Sequence, residues 1–233
     1  MYFYGIDATY IFLVLPAVIF ALWAQINVKS TFSKYAKVSC RSGMTGFDSA
    51  RRILDANGLQ NVAIAHVSGE LTDHYNPSDN TIYLSDSVYS SNSAAAVGVA
   101  AHEAGHAVQH ATGYTPIRIR SAIIPITNIG SNVAMPLILL GIVLSFPTLA
   151  YIGVAAFGLS TLFQLVTLPV EFDASGRALR ALEGAGLDGE DLKSAKKVLR
   201  AAALTYVAAL AVSLANLLRL LIIVAGNDKR RRK

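Results

Sequence analysis

Long apolar segments alternate with polar ones along the chain. Four stretches are mainly apolar over about the 20 residues that a membrane-spanning helix requires. They lie at about 9–26, 123–146, 149–168 and 201–225. This pattern predicts a mainly α integral membrane protein with three to four transmembrane helices. The polar regions between them, 28–121 and 171–200, are long enough to form a small folded α+β unit.

Basic residues flank the apolar segments unevenly, and this bias predicts their orientation. The tail before the first segment contains Asp7 but no Lys or Arg, whereas Lys29 and Lys34 follow that segment. The positive-inside rule then places the tail outside and the residues from Lys29 onward in the cytoplasm. The second and third segments are separated only by Pro147 and Thr148, so we expect a helical hairpin whose two basic flanks are both cytoplasmic.

The last apolar segment leaves two alternatives open. It is long enough to span a membrane, but a full crossing would translocate the basic tail at 229–233, against the charge rule. Arg219 lies inside the segment and must either snorkel to the interface or face protein. Either the tail is carried across, or the segment does not cross completely.

The first polar region contains local signals for helices and strands. The residues from Thr45 to Asp48 form a capping-box pattern, which predicts a helix that ends near residues 57–58. The residues at 62–67 and 81–85 have the composition of strands and are bounded by turn residues. An alanine-rich helix is expected from a cap at Asn92 or Ser93 to about Thr112. The second polar region is expected to be helical, with a glycine interruption at 184–189.

Composition supports the membrane interpretation. Hydrophobic residues make up 53% of the chain and charged residues only 15%, with a mean hydropathy of +0.45. Soluble domains average about 25% charged residues, and this balance also excludes a disordered chain. The net charge of +5 is concentrated beside the apolar segments, which favours a lipid bilayer over nucleic acid as the partner.

The single cysteine limits the kinds of metal site that are possible. Cys40 alone excludes a disulfide framework and a cysteine-based zinc cluster, so a metal would need histidine and carboxylate ligands. Lys37 and Arg41 lie close to it in sequence and could lower the pKa of its thiol. We expect no functional role for it.

The alanine-rich helix carries the pattern H-E-x-x-H at His102, Glu103 and His106. Residues four apart lie on one face of a helix, so both imidazoles can bind one Zn²⁺ ion. Glu103 then has the position of a general base for a zinc-activated water. A helix that merely exposes these three polar residues on its surface is the structural alternative.

A catalytic zinc site takes three protein ligands and leaves one position for water. No histidine follows His110, so a downstream third ligand has to be a carboxylate. Glu171 is the best candidate, because it follows the third apolar segment directly, where we expect a helix to start. Asp173 is the second candidate. A plain acidic residue at a helix N-terminus would explain Glu171 equally simply.

Three motifs together resemble a known family. They are G-E-L-T-D-H-Y at 69–75, V-A-A-H-E-A-G-H-A at 99–107 and L-P-V-E-F-D-A-S at 168–175. With the N-terminal anchor, this combination covers nearly the whole chain and resembles the YugP-like membrane zinc metallopeptidases of bacteria. The resemblance implies a zincin-like unit with a gluzincin-type site.

In that site, the resemblance implies that His102, His106 and Glu171 hold zinc and that Glu103 is catalytic. The layout is more distantly similar to HtpX and the CAAX prenyl proteases, whose last-ligand helix reads E-x-x-x-D. The position four after Glu171 is Ser175 here. The acid that orients a zinc histidine in those families is therefore absent, or it is replaced by Asp173.

Further residues are candidates for substrate binding. His74 or Tyr75, in an expected loop at 73–75, could donate a hydrogen bond to an oxyanion, although an ordinary turn explains them equally well. If the edge of the strand at 81–85 is free, an extended substrate could add to it as a further strand. Arg177 could reach the site to bind a carbonyl or carboxylate oxygen, and anchoring at the membrane explains it equally well.

These inferences combine into one functional hypothesis. The chain is expected to be a multi-pass cell-membrane zinc endopeptidase whose site is cytoplasmic and whose substrates are membrane-associated or unfolded protein segments. A non-enzymatic membrane scaffold with a structural metal is the alternative, and the sequence leaves the oligomeric state open. The predicted organisation is an N-terminal anchor (1–28), a cytoplasmic zincin-like region (29–121), a transmembrane hairpin (122–170), a cytoplasmic helical segment with the third ligand (171–200) and a C-terminal transmembrane helix with a basic tail (201–233).

Overall fold

The computed structural model describes residues 7–187 and 189–231. Over these residues the fold is predominantly helical with one small sheet, as predicted. A short π-helical segment, Tyr10–Val14, leads into the first α-helix. The elements are α1 (Leu15–Tyr35), α2 (Gly46–Ala56), β1 (Ala63–Val67), β2 (His74–Asn76), β3 (Thr81–Ser85), α3 (Ala94–Ala111), α4 (Thr115–Val143), α5 (Pro147–Gly184) and α6 (Gly189–Arg231).

Four helices of the described chain are long and apolar enough to cross a membrane, which is the upper end of the predicted number. Their candidate spans are Tyr10–Tyr35, Thr115–Val143, Pro147–Gly184 and Gly189–Asp228. Each of them extends beyond the apolar segment that predicted it.

The third apolar segment shows most clearly how far a helix extends into polar sequence. Its helix, α5, continues without a break past Pro169 to Gly184. The expectation that a helix starts at Glu171 is therefore wrong. A proline removes only one helical hydrogen bond, and residues 170–184 remain good helix formers.

The chain divides into two compact units. The first comprises the described residues of Met1–Ala24, Ile119–Leu168 and Thr205–Lys233, and the second comprises Gln25–Arg118 and Pro169–Leu204. The four long helices each contribute residues to both units. The finer domain boundaries expected from the sequence stay predictions.

The first unit contains an ion pair that involves the arginine inside the last apolar segment. Nη2 of Arg219 lies 3.5 Å from Oδ2 of Asp7, and its guanidinium lies over the ring of Tyr10, 5.5 Å from the centroid. Arg219 therefore faces protein groups, which was one of the two possibilities that the sequence left open. The location of the basic tail stays a prediction.

Helix α3 lies at the centre of the second unit. Its small side chains at positions 94–97, 100, 101 and 104 are fully buried in one hydrophobic cluster with residues of α2, β3, α5 and α6. Ser93 caps the helix, because its hydroxyl accepts a hydrogen bond from the N–H of Ala96 at 3.2 Å. A helix of alanine and glycine allows its neighbours to approach closely on every side.

The sheet differs from the expectation in one strand. Strands β1 and β3 were predicted to within one residue, and they pair in parallel. The expected loop at 73–75 is wrong, because His74–Asn76 forms β2 and pairs antiparallel with β3. The strand order β1-β3-β2 places β3 in the middle. The condition of a free edge is therefore not met by β3, and the edge strands are β1 and β2.

We expect the predicted capping box at the start of α2 to contribute measurably to stability. Thr45 Oγ1 accepts a hydrogen bond from the N–H of Asp48, whose carboxylate accepts one from the N–H of Thr45. Substitution Thr45→Ala should lower the free energy of unfolding by about 1 kcal/mol, measured by urea unfolding in detergent with far-UV circular dichroism. Thr45→Ser keeps the acceptor and should lose far less. Equal stability of the two variants would contradict the capping role.

Candidate metal centre

Helix α3 presents both histidines of the H-E-x-x-H pattern on one face. His102 and His106 are one turn apart, and their ring centroids lie 4.7 Å apart with an interplanar angle of 83°. Both side chains are largely buried. The alternative of a helix that simply exposes these residues at the surface does not fit this burial.

A close approach of two backbones brings α5 against this face. A Cβ atom at Gly105 would lie 2.7 Å from the carbonyl oxygen of Ala174, closer than real Cβ contacts allow. Only glycine therefore fits at this crossing. The two helices come near enough for a short carboxylate side chain on α5 to reach the histidines.

Glu171 is the side chain on α5 that faces both imidazoles. Its Oε2 lies 3.3 Å from Nε2 of His102 and 3.6 Å from Nε2 of His106, and only 3% of the side chain is exposed. A carboxylate is costly to bury without a positive partner or hydrogen-bond donors. The structure thus brings together the three residues that the sequence nominated as ligands, and the other candidate, Asp173, lies outside this group.

These three side chains have the composition of a metal site. One donor atom from each of His102, His106 and Glu171 can be chosen so that all three lie within 4.8 Å of one another. Two imidazole nitrogens and one carboxylate oxygen form a donor set used by catalytic zinc sites. The residues present therefore fit a zinc ion, with room in its coordination for a fourth, non-protein ligand.

The electrostatics of the centre favour a cation. Burial lowers the pKa of His106, but the nearby carboxylates of Glu171 and Glu103 outweigh burial, so that the net pKa lies above its usual value. Nearby, burial raises the pKa of the Asp73 carboxyl, and the charge of Glu103 adds to this effect, although Ser85 donates two hydrogen bonds to it. Negative potential is thus concentrated around the histidines.

Glu103 lies beside the ligand group and is held by the edge strand. Its Oε2 accepts a hydrogen bond from the main-chain N–H of Tyr75 at 3.0 Å, and 8% of the residue is exposed. Among the described residues, no group donates to its Oε1. One carboxylate oxygen is thus anchored, and the other is available to a small molecule such as water.

The side chains of His74 and Tyr75 are not brought into the ligand group. Successive strand residues point to opposite faces of a sheet. The ring of His74 accordingly stacks on Tyr83 at 5.0 Å, whereas the ring of Tyr75 contacts His110 at 5.6 Å and its hydroxyl donates to Asn80. Tyr75 meets the site through its backbone, and the role of either side chain as an oxyanion donor stays a prediction.

Two side chains that contact the histidines were missed as partners in the sequence analysis. Gln109 Oε1 lies 3.0 Å from Nδ1 of His106, and Ser175 Oγ lies 3.1 Å from Nδ1 of His102. Position 175 follows Glu171 by one helical turn, so helix periodicity could have identified it. For Gln109 the sequence signal is weaker, and it consists of the position of Gln109 three residues after His106 on the same helix.

Two other expectations from the sequence change. Nε of Arg177 donates to Asp173 Oδ2 at 2.6 Å, and its guanidinium lies over the ring of Tyr114, so it is engaged within the protein. The pKa of Cys40 is not lowered, because burial raises the pKa of this thiol to about 11, with the charge of Asp191 adding to the effect. The flanking basic residues do not compensate for that desolvation.

Comparisons with known proteins agree with this site. Residues 10–225 match the sequence model of a family described as "Putative neutral zinc metallopeptidase". The chain is 46% identical over 222 residues to a protein of Bacillus subtilis (strain 168) named "Putative membrane protease YugP", covering 94% of this chain and 99% of that protein. No solved structure matches the chain. The family resemblance carried by the three motifs is thereby confirmed.

The ligand set predicts the metal content of the purified protein. We expect about one zinc per chain, and much less in Glu171→Ala, because the metal loses its only anionic ligand. Glu183→Ala is the matched control, since Glu183 is an exposed glutamate on the same helix. Metal can be measured by mass spectrometry on detergent-purified protein, with thermal melts to show that each variant is folded. A folded parent that refuses added zinc would contradict the site.

Proposed function

We propose, from the premise that this chain belongs to the neutral zinc metallopeptidase family, that it is an integral-membrane zinc-dependent endopeptidase. Its substrates would be membrane-associated or unfolded protein segments, cleaved at the cytoplasmic face. The Bacillus subtilis relative is named "Putative membrane protease YugP", and four helices of the described chain are apolar enough to span a bilayer. Both observations support a multi-pass membrane location.

One observation carries the proposal. A buried carboxylate and two imidazoles from two different helices converge, and the glutamate next to the first imidazole keeps one carboxylate oxygen available. Three ligands with an open fourth position are typical of catalytic zinc, whereas structural zinc is usually closed by four protein ligands. The arrangement therefore favours hydrolysis over a purely structural role.

His102, His106 and Glu171 would hold the metal, and their burial excludes bulk water from it. Zinc bound there would polarise a peptide carbonyl and acidify a water molecule. Glu103 is the group placed to take the proton of that water and to return it to the departing amine. The N–H of Tyr75 fixes the carboxylate of Glu103 through Oε2, so Oε1 is the oxygen that we expect to hold the proton.

The substrate would lie along the outer edge of β2. Because the N–H of Tyr75 points away from β3 towards Glu103, the carbonyl of Tyr75 also points outward in an antiparallel ladder. The N–H of Tyr75 is engaged by Glu103, so an extended peptide would pair with this edge by donating a main-chain N–H to the carbonyl of Tyr75, largely independently of the peptide's sequence. Pro77 has no N–H and ends the strand, which limits this pairing to a short segment.

No observation favours the alternative of a scaffold with a structural metal. A structural zinc site would need a fourth protein ligand, for which His74 and Asp173 are the candidates. In the described part of the chain, the convergent group contains only two histidines and one glutamate. His74 stacks on Tyr83, and Asp173 accepts hydrogen bonds from Gln109 and Arg177.

The general-base role of Glu103 gives the sharpest test of activity. Glu103→Gln removes the proton acceptor but keeps the size of the side chain. We expect cleavage of an unfolded, dye-labelled protein to fall by at least about 100-fold with zinc content retained. Glu70→Gln, which changes an exposed glutamate of the loop before β2, should cleave as fast as the parent. Full activity of zinc-loaded Glu103→Gln would refute the mechanism.

The cytoplasmic placement can be tested with single cysteines. The native Cys40 is buried and should react slowly with a membrane-impermeant maleimide. We expect Glu70→Cys to be labelled in inside-out vesicles but not in intact cells, and Thr148→Cys, an exposed position in the first turn of α5, to show the opposite pattern. Labelling of Glu70→Cys in intact cells would place the metal centre outside.

A further inference from the structure

We infer that Gln109 is a positioning residue that selects the tautomer of His106 and thereby reserves its Nε2 atom for the metal. The inference deepens the proposed function and rests on the metal site described there. It concerns a side chain that is itself no ligand and that the H-E-x-x-H pattern does not include. Gln109 lies on α3, the helix that also carries both histidines, and it is completely buried.

The amide of Gln109 makes three contacts. Its Nε2 donates to the carbonyl oxygen of Val170 at 2.8 Å and to Oδ2 of Asp173 at 2.9 Å. Its Oε1 lies 3.0 Å from Nδ1 of His106. One side chain on α3 is thus hydrogen-bonded both to a histidine of its own helix and to two groups of α5.

The chemistry of these partners decides which way the amide points. A carbonyl and an ionised carboxylate can only accept hydrogen bonds, so both must face the amide NH₂ group. The amide oxygen is then forced towards His106. Because this oxygen can only accept, Nδ1 of His106 must carry a proton. In the neutral ring, Nε2 is then the unprotonated nitrogen, and it is the atom that lies 3.6 Å from Oε2 of Glu171.

Asp173 is the anchor of this arrangement. Its Oδ2 accepts from Gln109 and also from Nε of Arg177 at 2.6 Å, and the guanidinium of Arg177 packs over Tyr114. Asp173 follows the ligand Glu171 by two residues on α5. The same helix therefore delivers one metal ligand and, through Gln109, orients another.

The contact at His102 is of a different kind. Ser175 Oγ lies 3.1 Å from Nδ1 of His102, but a hydroxyl both donates and accepts and so selects no tautomer by itself. The serine one turn after Glu171 therefore does not take over the orienting role of the acid that HtpX and the CAAX prenyl proteases have at this position. The acid that follows Glu171 most closely on this helix is Asp173, and it acts on the other histidine through the amide of Gln109 rather than on His102 directly.

The decisive variant is Gln109→Leu, which keeps the approximate volume but removes the acceptor. With zinc bound at Nε2, the Nδ1–H of His106 would then lie buried without a partner. We expect the zinc dissociation constant, measured by competition with a chromogenic chelator in detergent, to rise about 10- to 100-fold. The visible spectrum of the cobalt-substituted protein should change as well.

Ser49→Ala is the matched control. The buried hydroxyl of Ser49 on α2 donates to the carbonyl of Val97 on α3, the helix of Gln109, at 3.0 Å. Ser49 touches none of the proposed metal ligands. Gln109→Leu loses three hydrogen bonds and Ser49→Ala loses one, and both variants should melt at a lower temperature, but only Gln109→Leu should change zinc affinity and the cobalt spectrum. Equal zinc affinity of Gln109→Leu and Ser49→Ala would overturn the inference.

A second pair of variants applies if Gln109→Leu fails to fold. Asp173→Ala removes one acceptor that orients the amide, and zinc binding should weaken. Asp173→Asn can still present an oxygen to Gln109 and should restore it. If both Asp173 variants bind zinc as tightly as the parent, the role of Asp173 as anchor is overturned. If Gln109→Leu also fails to fold, the same result overturns the inference as a whole. A parent that binds no zinc would refute the proposed function, whereas a zinc-binding parent with indifferent variants would refute only this inference.

Discussion

The contact on which the second unit depends is the buried carboxylate of Glu171 between two imidazoles. Burying a carboxylate is unfavourable unless positive charge or hydrogen-bond donors compensate it. Its partners here are 65 or more positions away in sequence, so the fold must bring α3 and α5 into register. The backbone contact of Gly105 with Ala174 is the geometric condition for this, because any larger residue would separate the two helices.

The small residues of α3 follow from the same requirement. Bulky side chains would hold α2, β3, α5 and α6 too far away to position polar groups around the histidines. The cost is a helix that contributes little apolar area of its own, and its neighbours supply the larger side chains, such as Leu54, Ile82, Leu182 and Leu187. Close packing on every side restricts the rotamers of His102, Glu103 and His106, which is what a site of fixed geometry needs.

Polar contacts complete what packing cannot specify. Imidazole has two tautomers of similar energy, and the shape of a cavity does not distinguish them. Gln109 distinguishes them for His106, and the N–H of Tyr75 orients Glu103 from the opposite direction. His106 and Glu103 are thereby each assigned a donor or acceptor role by a neighbouring group.

Local patterns in the sequence predicted much of this protein. The apolar segments, the Thr45 capping box, strands β1 and β3 and the spacing of His102 and His106 depend on short-range periodicity and composition, and they hold in the structure. Counting the available donors also nominated Glu171. The tertiary structure alone decided that 74–76 pairs as an edge strand, that α5 continues through Glu171, and that Asp173 acts through Gln109. These features depend on contacts between segments that are distant in sequence, and such contacts leave no periodic pattern in a single sequence.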